Sequence, residues 1–362
     1  MKNFFFLICG IMVYMYGEAQ QSGALHRIMF YNVENLFHPS DDSLKADDDF
    51  TPTGSYHWTY KKYLRKVSMI GKVILAAGEG DPPWLVGLAE IENEQVLKDL
   101  CYNSPLRKMG YRYVHYDSPD RRGVDVAMLY RDSCIRILRS SKIPVVFPFD
   151  TFSRNRDVLY AVVQFPSGDS LHLFVNHWTS RYGGYAATVP KRNYYATVVR
   201  RWVDSLMAED RRAKILITGD FNDYATDESM TDYLRVREYG PRLPRDTLYN
   251  LMLPLARQSL YGSHKHEDFW GCLDQFVVSD AWLTDSTGVH QIGQAHVFDA
   301  DFLLVDDEKY GGKKSYRTFL GPRYIGGFAD HLPVFVEFFD QFQSQDRPME
   351  QSFGKKLLHL SD

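Results

Sequence analysis

One pattern limits the fold of this chain more than any other: short apolar runs that stop abruptly at an acid, an amide or an imidazole. KILIT runs into Gly219-Asp220-Phe221-Asn222-Asp223. WLVGLAE stops at Glu90, LHLFVNH at His177, and the strand read at residues 27–33 carries Asn32 near its end. Farther on, LDQFVVS carries Asp274, and Asp330-His331 immediately precedes LPVFVEF. Unbroken apolar runs of this length read as strands buried in a sheet. A carboxylate that closes such a strand is costly unless it is paired or meets a cation. Buried strands whose polar ends share one edge are what a reaction site requires.

The segments between these runs complete the architecture. Residues 58–78 place Leu64, Val67, Ile70, Ile74 and Ala77 at helical spacing, and residues 93–101 read as a second helix. A third is expected over 189–209, with Val198, Val199, Trp202 and Leu206 on its apolar side. Strands are expected at 111–116, 124–130, 135–146, 158–165 and 171–177, the last two joined by a turn at Gly168-Asp169. Later strands fall at 272–278 and 332–338. Residues 38–57 read as a polar surface loop, and the glycines between 284 and 329 indicate loops. Helices alternate with strands early and late, and hairpins fill the middle. That mixture predicts an α/β fold with mixed sheets and no second domain.

At the N-terminus, Lys2 precedes FFFLICGIMVYMY, and Gly17 and Ala19 form a small-x-small site. Residues 1–19 are therefore expected to be an export signal, cleaved after Ala19. The apolar stretch is shorter than the roughly 20 residues of a membrane span. The expected product is a periplasmic or extracellular monomer with no stable span, ending in a tail over 341–362. Cys101, Cys134 and Cys272 remain, and either one disulfide or three thiols fits them. The formal net charge of −4 offers nucleic acid no global attraction and leaves only a local basic patch as a route.

Each strand-end residue has a chemical reading. Glu90 suits a metal ligand, and Asn32 an amide that orients a carboxylate or a metal-bound water. Glu92 and Glu94 read as solvated. His177 leads into a loop with Arg181, Gly183 and Gly184, one cation on a flexible backbone that suits phosphate. Asp220 suits a base or holder of water, with Asn222 fixing it or donating to a phosphate oxygen. Asp274 can bond one ring nitrogen of a histidine such as His331 and favour the imidazolium. Acids, an amide and imidazoles at strand ends suit metal-assisted attack on phosphate.

In their order, YNVENLF, GLAEIEN, VDVAMLY, VNHW, GDFND, LDQFVVS and DHLPV make the chain resemble the endonuclease/exonuclease/phosphatase superfamily, the deoxyribonuclease-I-like fold, over residues 26–340. The resemblance implies a four-layer α/β sandwich, two packed mixed β-sheets flanked by helices. It implies hydrolysis of phosphate esters with Mg2+ or Mn2+. Carried over by position, it makes Glu90 the principal metal ligand, with Asn32 beside it and Asp330 contributing. Asp220 orients or deprotonates the water, steadied by Asn222. His331, paired with Asp274, contacts the phosphate, and His177 stabilises the transition state or assists the leaving group. Arg156 or Arg154 resembles an arginine that contacts substrate phosphate, and Arg121 or Arg122 also faces substrate. YRTFLGPRYIGG (316–327), with Arg317, looks like a rim loop of the secreted bacterial-type branch.

The resulting expectation is a secreted metal-dependent phosphodiesterase, most simply a nuclease, acting on a phosphate ester such as nucleic acid. The alternatives are a sphingomyelinase-like phospholipase, a phosphomonoesterase, or a non-catalytic binding protein on the same fold. An exposed apolar hairpin would favour lipid, and FPFDTF (147–152) is the one candidate.

Overall fold

Strand β1 (Leu25–Leu36) is the centre of the first sheet because both of its faces are covered. Ile28 and Phe30 point into the layer between the sheets, while Met29 and Tyr31 point to the helical layer. It pairs in parallel with β2 (Leu85–Ile91) and antiparallel with the C-terminal strand Val334–Asp340. Beyond β2 lie β4 (Asp125–Arg131) and the edge strand β3 (Tyr111–His115). The computed structural model describes residues 25–240, 243–258, 261–284, 289–290 and 295–340. The expected export signal and C-terminal tail lie outside them.

The second sheet runs from β5 (Arg136–Ile143) through β6 (Val158–Gln164), β7 (Ser170–His177) and β8 (Ile215–Asp220). It continues through Asp274–Ser279 and Leu248–Asn250 to Val236–Glu238. Helices α1 (Tyr60–Ala77) and α2 (Glu94–Tyr102) cover the outer face of the first sheet. Helix α3 (Tyr185–Glu209) covers the second. The expected four-layer α/β sandwich with mixed sheets is the fold observed. Gly87 on β2 lets the sheets approach, since a Cβ there would lie 3.0 Å from Phe30 and 3.3 Å from Val175.

Several local expectations need correction. Leu64 is 50% exposed, whereas Lys66 is buried in its place. Lys66 turns inward because its ammonium donates to the Glu34 carbonyl and to Thr318 Oγ1, satisfying a buried charge. Helix α3 begins four residues earlier than expected, after Gly184 in the left-handed region. Trp202 stays partly exposed and packs on the Tyr160 ring. The 38–57 segment is not merely a surface loop. Asp47 is buried, and Phe50 stacks between Phe37 and Tyr56. Within 284–329 the chain forms brief hairpins, Leu304–Asp306 with Lys313–Ser315 and Phe319–Leu320 with Arg323–Tyr324. Cys101, Cys134 and Cys272 are free thiols. Among the described residues, no helix is long and apolar enough to cross a membrane.

Candidate active site

Register alone sets three of the side chains in a row. His177 is paired with Asp220 across the parallel strands β7 and β8, and Asp220 with Asp274 across the antiparallel neighbour. Residues paired this way share a face and sit side by side. Asn32 and Glu90 approach from the first sheet, and His331 from the turn before the C-terminal strand. The close passage of β8 beside β7 requires Gly219, where a Cβ would lie 2.2 Å from the Asn176 carbonyl oxygen.

Asp220 is the hub, and it is buried. Its Oδ2 accepts from Asn32 Nδ2 at 3.0 Å and lies 3.7 Å from His177 Nε2 and 3.8 Å from His331 Nε2. Its Oδ1 accepts the main-chain N–H of Asn222 at 2.9 Å. Asn222 has a φ of 51°, a left-handed conformation that Asn tolerates better than most residues. Its side chain instead donates to the Trp178 carbonyl at 3.2 Å. Asn222 therefore steadies Asp220 through its backbone.

Glu90 joins the cluster from an irregular point in β2, where its φ is 64°. Its Oε2 accepts the Asn35 N–H at 2.7 Å. Its Oε1 lies 3.4 Å from Asn32 Nδ2 and 3.9 Å from His177 Nε2. His331 Nδ1 is 2.6 Å from Asp274 Oδ2. Asp330 stands at the margin, 3.0 Å from Arg317.

These environments separate the two histidines. Burial opposes charge on His331, but Asp274 and Asp220 outweigh it and hold the imidazole well above its ordinary range. Burial, with Arg156 and Arg122 nearby, holds His177 well below. Burial pushes the Asp220 carboxyl up to about 7, against the pull of His331. The site thus pairs a charged imidazole, a neutral imidazole and a basic carboxylate.

The donor set fits a hard divalent cation. Asp220, Asp274 and His331 present ligand atoms within 4.8 Å of one another, as do His264, Asp330 and His331. The first group is mainly oxygen and the second mainly nitrogen, and Asp274 Oδ1 is buried without a hydrogen-bond partner. The carboxylate oxygens are what suit a hard divalent cation, while His331, held as an imidazolium, has no lone pair to offer it. Glu90 lies outside both of these groups and reaches the cluster through Asn32 and His177.

The arginines behave differently from expectation. Arg156 is buried and turned inward. Its guanidinium donates to the His177 carbonyl at 2.9 Å, the Trp178 carbonyl at 2.7 Å and Asp120 at 3.2 Å. Arg181 donates to the Asn222 carbonyl at 2.7 Å and Asp227 at 2.8 Å, with its guanidinium over Tyr224. Both fasten loops. Arg122 and Arg154, with Arg156 itself, line an open groove of about 460 Å³ together with Ser180 and Tyr182. The groove adjoins the cluster through Arg156 and does not enclose it.

Glu92, expected to be solvated, is buried and accepts the His38 N–H at 2.5 Å, and burial pushes its carboxyl up to about 8. Sequence reasoning also missed a buried brace beside the site. Glu34 bonds Arg317 at 2.7 Å and the Thr318 N–H at 2.8 Å, and Lys66 caps the Glu34 carbonyl. It ties the expected rim loop to β1. The available signal was a carboxylate two residues beyond Asn32, in a buried stretch of the same strand.

A family model described as the endonuclease/exonuclease/phosphatase family matches residues 27–339. No curated protein matches the chain. Among solved structures, an endonuclease/exonuclease/phosphatase family protein from Bacteroides thetaiotaomicron superposes with a TM-score of 0.54 at 17% identity, covering 88% of this chain and 100% of that one. A mannosyl-6-phosphatase from the same organism gives 0.53 at 17% identity, with 86% and 99% covered. D. rerio TDP2 complexed with a single-strand DNA product gives 0.51 at 17% identity, with 87% and 99% covered. At these identities the likeness is one of fold. The match over nearly the whole sandwich makes the assignment: the chain belongs to the endonuclease/exonuclease/phosphatase family of phosphate-ester hydrolases.

Proposed function

We propose that the chain is an exported, Mg2+- or Mn2+-dependent phosphodiesterase whose substrate is nucleic acid. The observation that carries this reading is the convergence on Asp220 of His177, His331, Asn32 and the Asn222 N–H. In this reading Asp220 takes the proton of the attacking water, a task that suits a carboxyl pushed up to about 7 by burial. Asn32 and the Asn222 N–H fix its two oxygens. His331, kept charged by Asp274, donates to a phosphoryl oxygen and balances its growing charge. His177, kept neutral, donates from Nε2 to the same group. Glu90, with Asn32 and Asp330 beside it, would hold a divalent cation, which would supply polarisation of a phosphoryl oxygen and stabilisation of the leaving oxygen.

Nucleic acid is favoured by the groove. Arg122 and Arg154 supply cations, and the exposed ring of Tyr182 supplies a stacking surface, with exposed Phe152 two residues before Arg154 in sequence. Export is supported by the N-terminal pattern of Lys2, an apolar run and Ala19.

The test is hydrolysis of bis(p-nitrophenyl) phosphate and of single-stranded DNA with Mg2+ or Mn2+, repeated in EDTA. Release is expected only with metal, and Asp220→Asn is expected to lose about a hundredfold or more. Cleavage of p-nitrophenyl phosphate alone would replace this reading with a phosphomonoesterase. Metal binding without turnover on any of these would replace it with a binding protein.

A further inference from the structure

The connection between β3 and β4, residues 116–124, bears directly on the site because Asp120 within it receives Arg156. It is fastened from outside. Lys45 Nζ donates to the Ser118 carbonyl at 3.1 Å, and the Ala46 N–H to the Arg121 carbonyl at 2.8 Å. Lys142 Nζ donates to the Asp117 carbonyl at 2.7 Å and lies 3.2 Å from Asp157.

At the base of this connection stands a group that the phosphoryl chemistry does not use. His115 closes β3 and Asp125 opens β4. Their side chains are only 6% and 2% exposed, and His115 Nε2 lies 3.4 Å from Asp125 Oδ2. Each of those two atoms is buried without a hydrogen-bond partner. A buried polar atom without a hydrogen bond is costly, and these two face each other at 3.4 Å without forming one, a gap that a shared cation would close. The other oxygen of Asp125 accepts the Ser118 N–H at 3.1 Å, which leaves Oδ2 to face the imidazole. Asp117, at the exposed side, completes the set. One ligand atom from each of His115, Asp117 and Asp125 lies within 4.8 Å of the others.

We propose that His115, Asp117 and Asp125 form a second, structural metal site for a zinc-class cation. Imidazole nitrogen and carboxylate oxygen are both zinc ligands, and water would complete a four-coordinate shell on the side where Asp117 meets solvent. Mg2+ and Ca2+ prefer all-oxygen shells, so the imidazole selects against them. The bound ion ties the end of β3 to the start of β4 and closes the loop that holds Asp120 against Arg156. It thereby acts on the carbonyls of His177 and Trp178 without touching substrate.

The experiment is zinc titration of the chelator-stripped full chain in phosphate-free buffer with excess Mg2+, with bound zinc counted by mass spectrometry and melting followed in parallel. The wild type is expected to hold one more equivalent of zinc than Asp117→Asn, and to melt at higher temperature with zinc than without. Asp117→Asn alters an exposed side chain, so it tests the site even if His115→Ala fails to fold. Asp117→Asn is expected to weaken that equivalent by about tenfold or more. His115→Ala and Asp125→Asn are expected to abolish it where they fold. Equal zinc stoichiometry and affinity in the wild type and Asp117→Asn would overturn the proposal and leave a bare His115–Asp125 ion pair.

Discussion

Asp220 and Asp274 stand directly opposite each other on neighbouring antiparallel strands, and a single imidazole serves both. His331 Nδ1 is 2.6 Å from Asp274, and its Nε2 is 3.8 Å from Asp220. Two adjacent buried carboxylates repel, and the charge on His331 is what makes them compatible. Asp274 does most to keep that charge in place against burial.

Asp274→Asn is therefore expected to move the alkaline limb of the rate profile to lower pH. Asp274 holds the His331 proton to higher pH than an ordinary imidazole does, and without Asp274 the proton leaves earlier. Turnover should fall about a hundredfold, with a smaller change in KM. A profile of kcat against pH for both proteins checks this, and an unmoved alkaline limb would remove His331 as the charged donor.

Arg156→Ala is expected to lower stability by about 3–5 kcal/mol, because it strands Asp120 and frees two carbonyls in a buried setting. Arg156→Lys should rescue little, since one ammonium cannot reproduce a three-way planar fork. Urea denaturation of the three proteins measures the loss. Full stability in the lysine variant would show that charge alone matters here.

Gly219→Ala should destabilise by about 3 kcal/mol or more and reduce activity further than stability explains, since its methyl would strike the Asn176 carbonyl. Comparing melting temperature with turnover well below the transition separates the two effects.

His172 gives a dependence of stability on acid. Burial, with Arg139 nearby, lowers its pKa in the folded chain. Between that lowered value and its unfolded value near 6.5, the unfolded chain binds the extra proton. Stability is thus present above about pH 6.5 and lost as pH falls. His172→Gln should show a shallower fall in melting temperature from pH 7 to pH 5. Parallel curves would assign the acid sensitivity to other groups.

Phe147 of the FPFDTF segment is core, while Phe152 is 87% exposed, close in sequence to the groove residue Arg154, and Tyr182 on the groove wall is 94% exposed. Phe152→Ser with Tyr182→Ala should raise KM for single-stranded DNA about tenfold and leave bis(p-nitrophenyl) phosphate turnover unchanged. Loss of activity on phospholipid vesicles, with DNA unaffected, would point to lipid instead.

The strand-end residues were legible in the sequence because each borders or interrupts an apolar run, and strands buried on both faces cannot hide such a residue. Asn32, Glu90, His177, Asp220, Asp274 and His331, singled out in this way, come together in one cluster. The arginines were not legible. Whether a guanidinium faces phosphate or a carbonyl depends on loop paths, and Arg156 and Arg181 turned inward. The Glu34–Arg317 pair joins positions 283 apart, and no local pattern announces such a contact. The same long-range brace buried Lys66 and displaced Leu64 from the helix face. The hairpins of 304–324 are two or three residues per strand, too brief for alternation to register.

The hydrogen bond from Asn32 to Asp220 runs from one sheet to the other, so neither sheet alone holds a complete reaction site. The distance between the two layers therefore behaves as a kinetic quantity. A methyl wedged in at Gly87, far from any substrate, would change how Asn32 meets Asp220 before it unfolded anything. Mutational drift in the interior of this sandwich is then visible to selection as a change in rate. Compensating substitutions are to be sought in residues that restore the thickness of the middle layer as much as in those that touch phosphate.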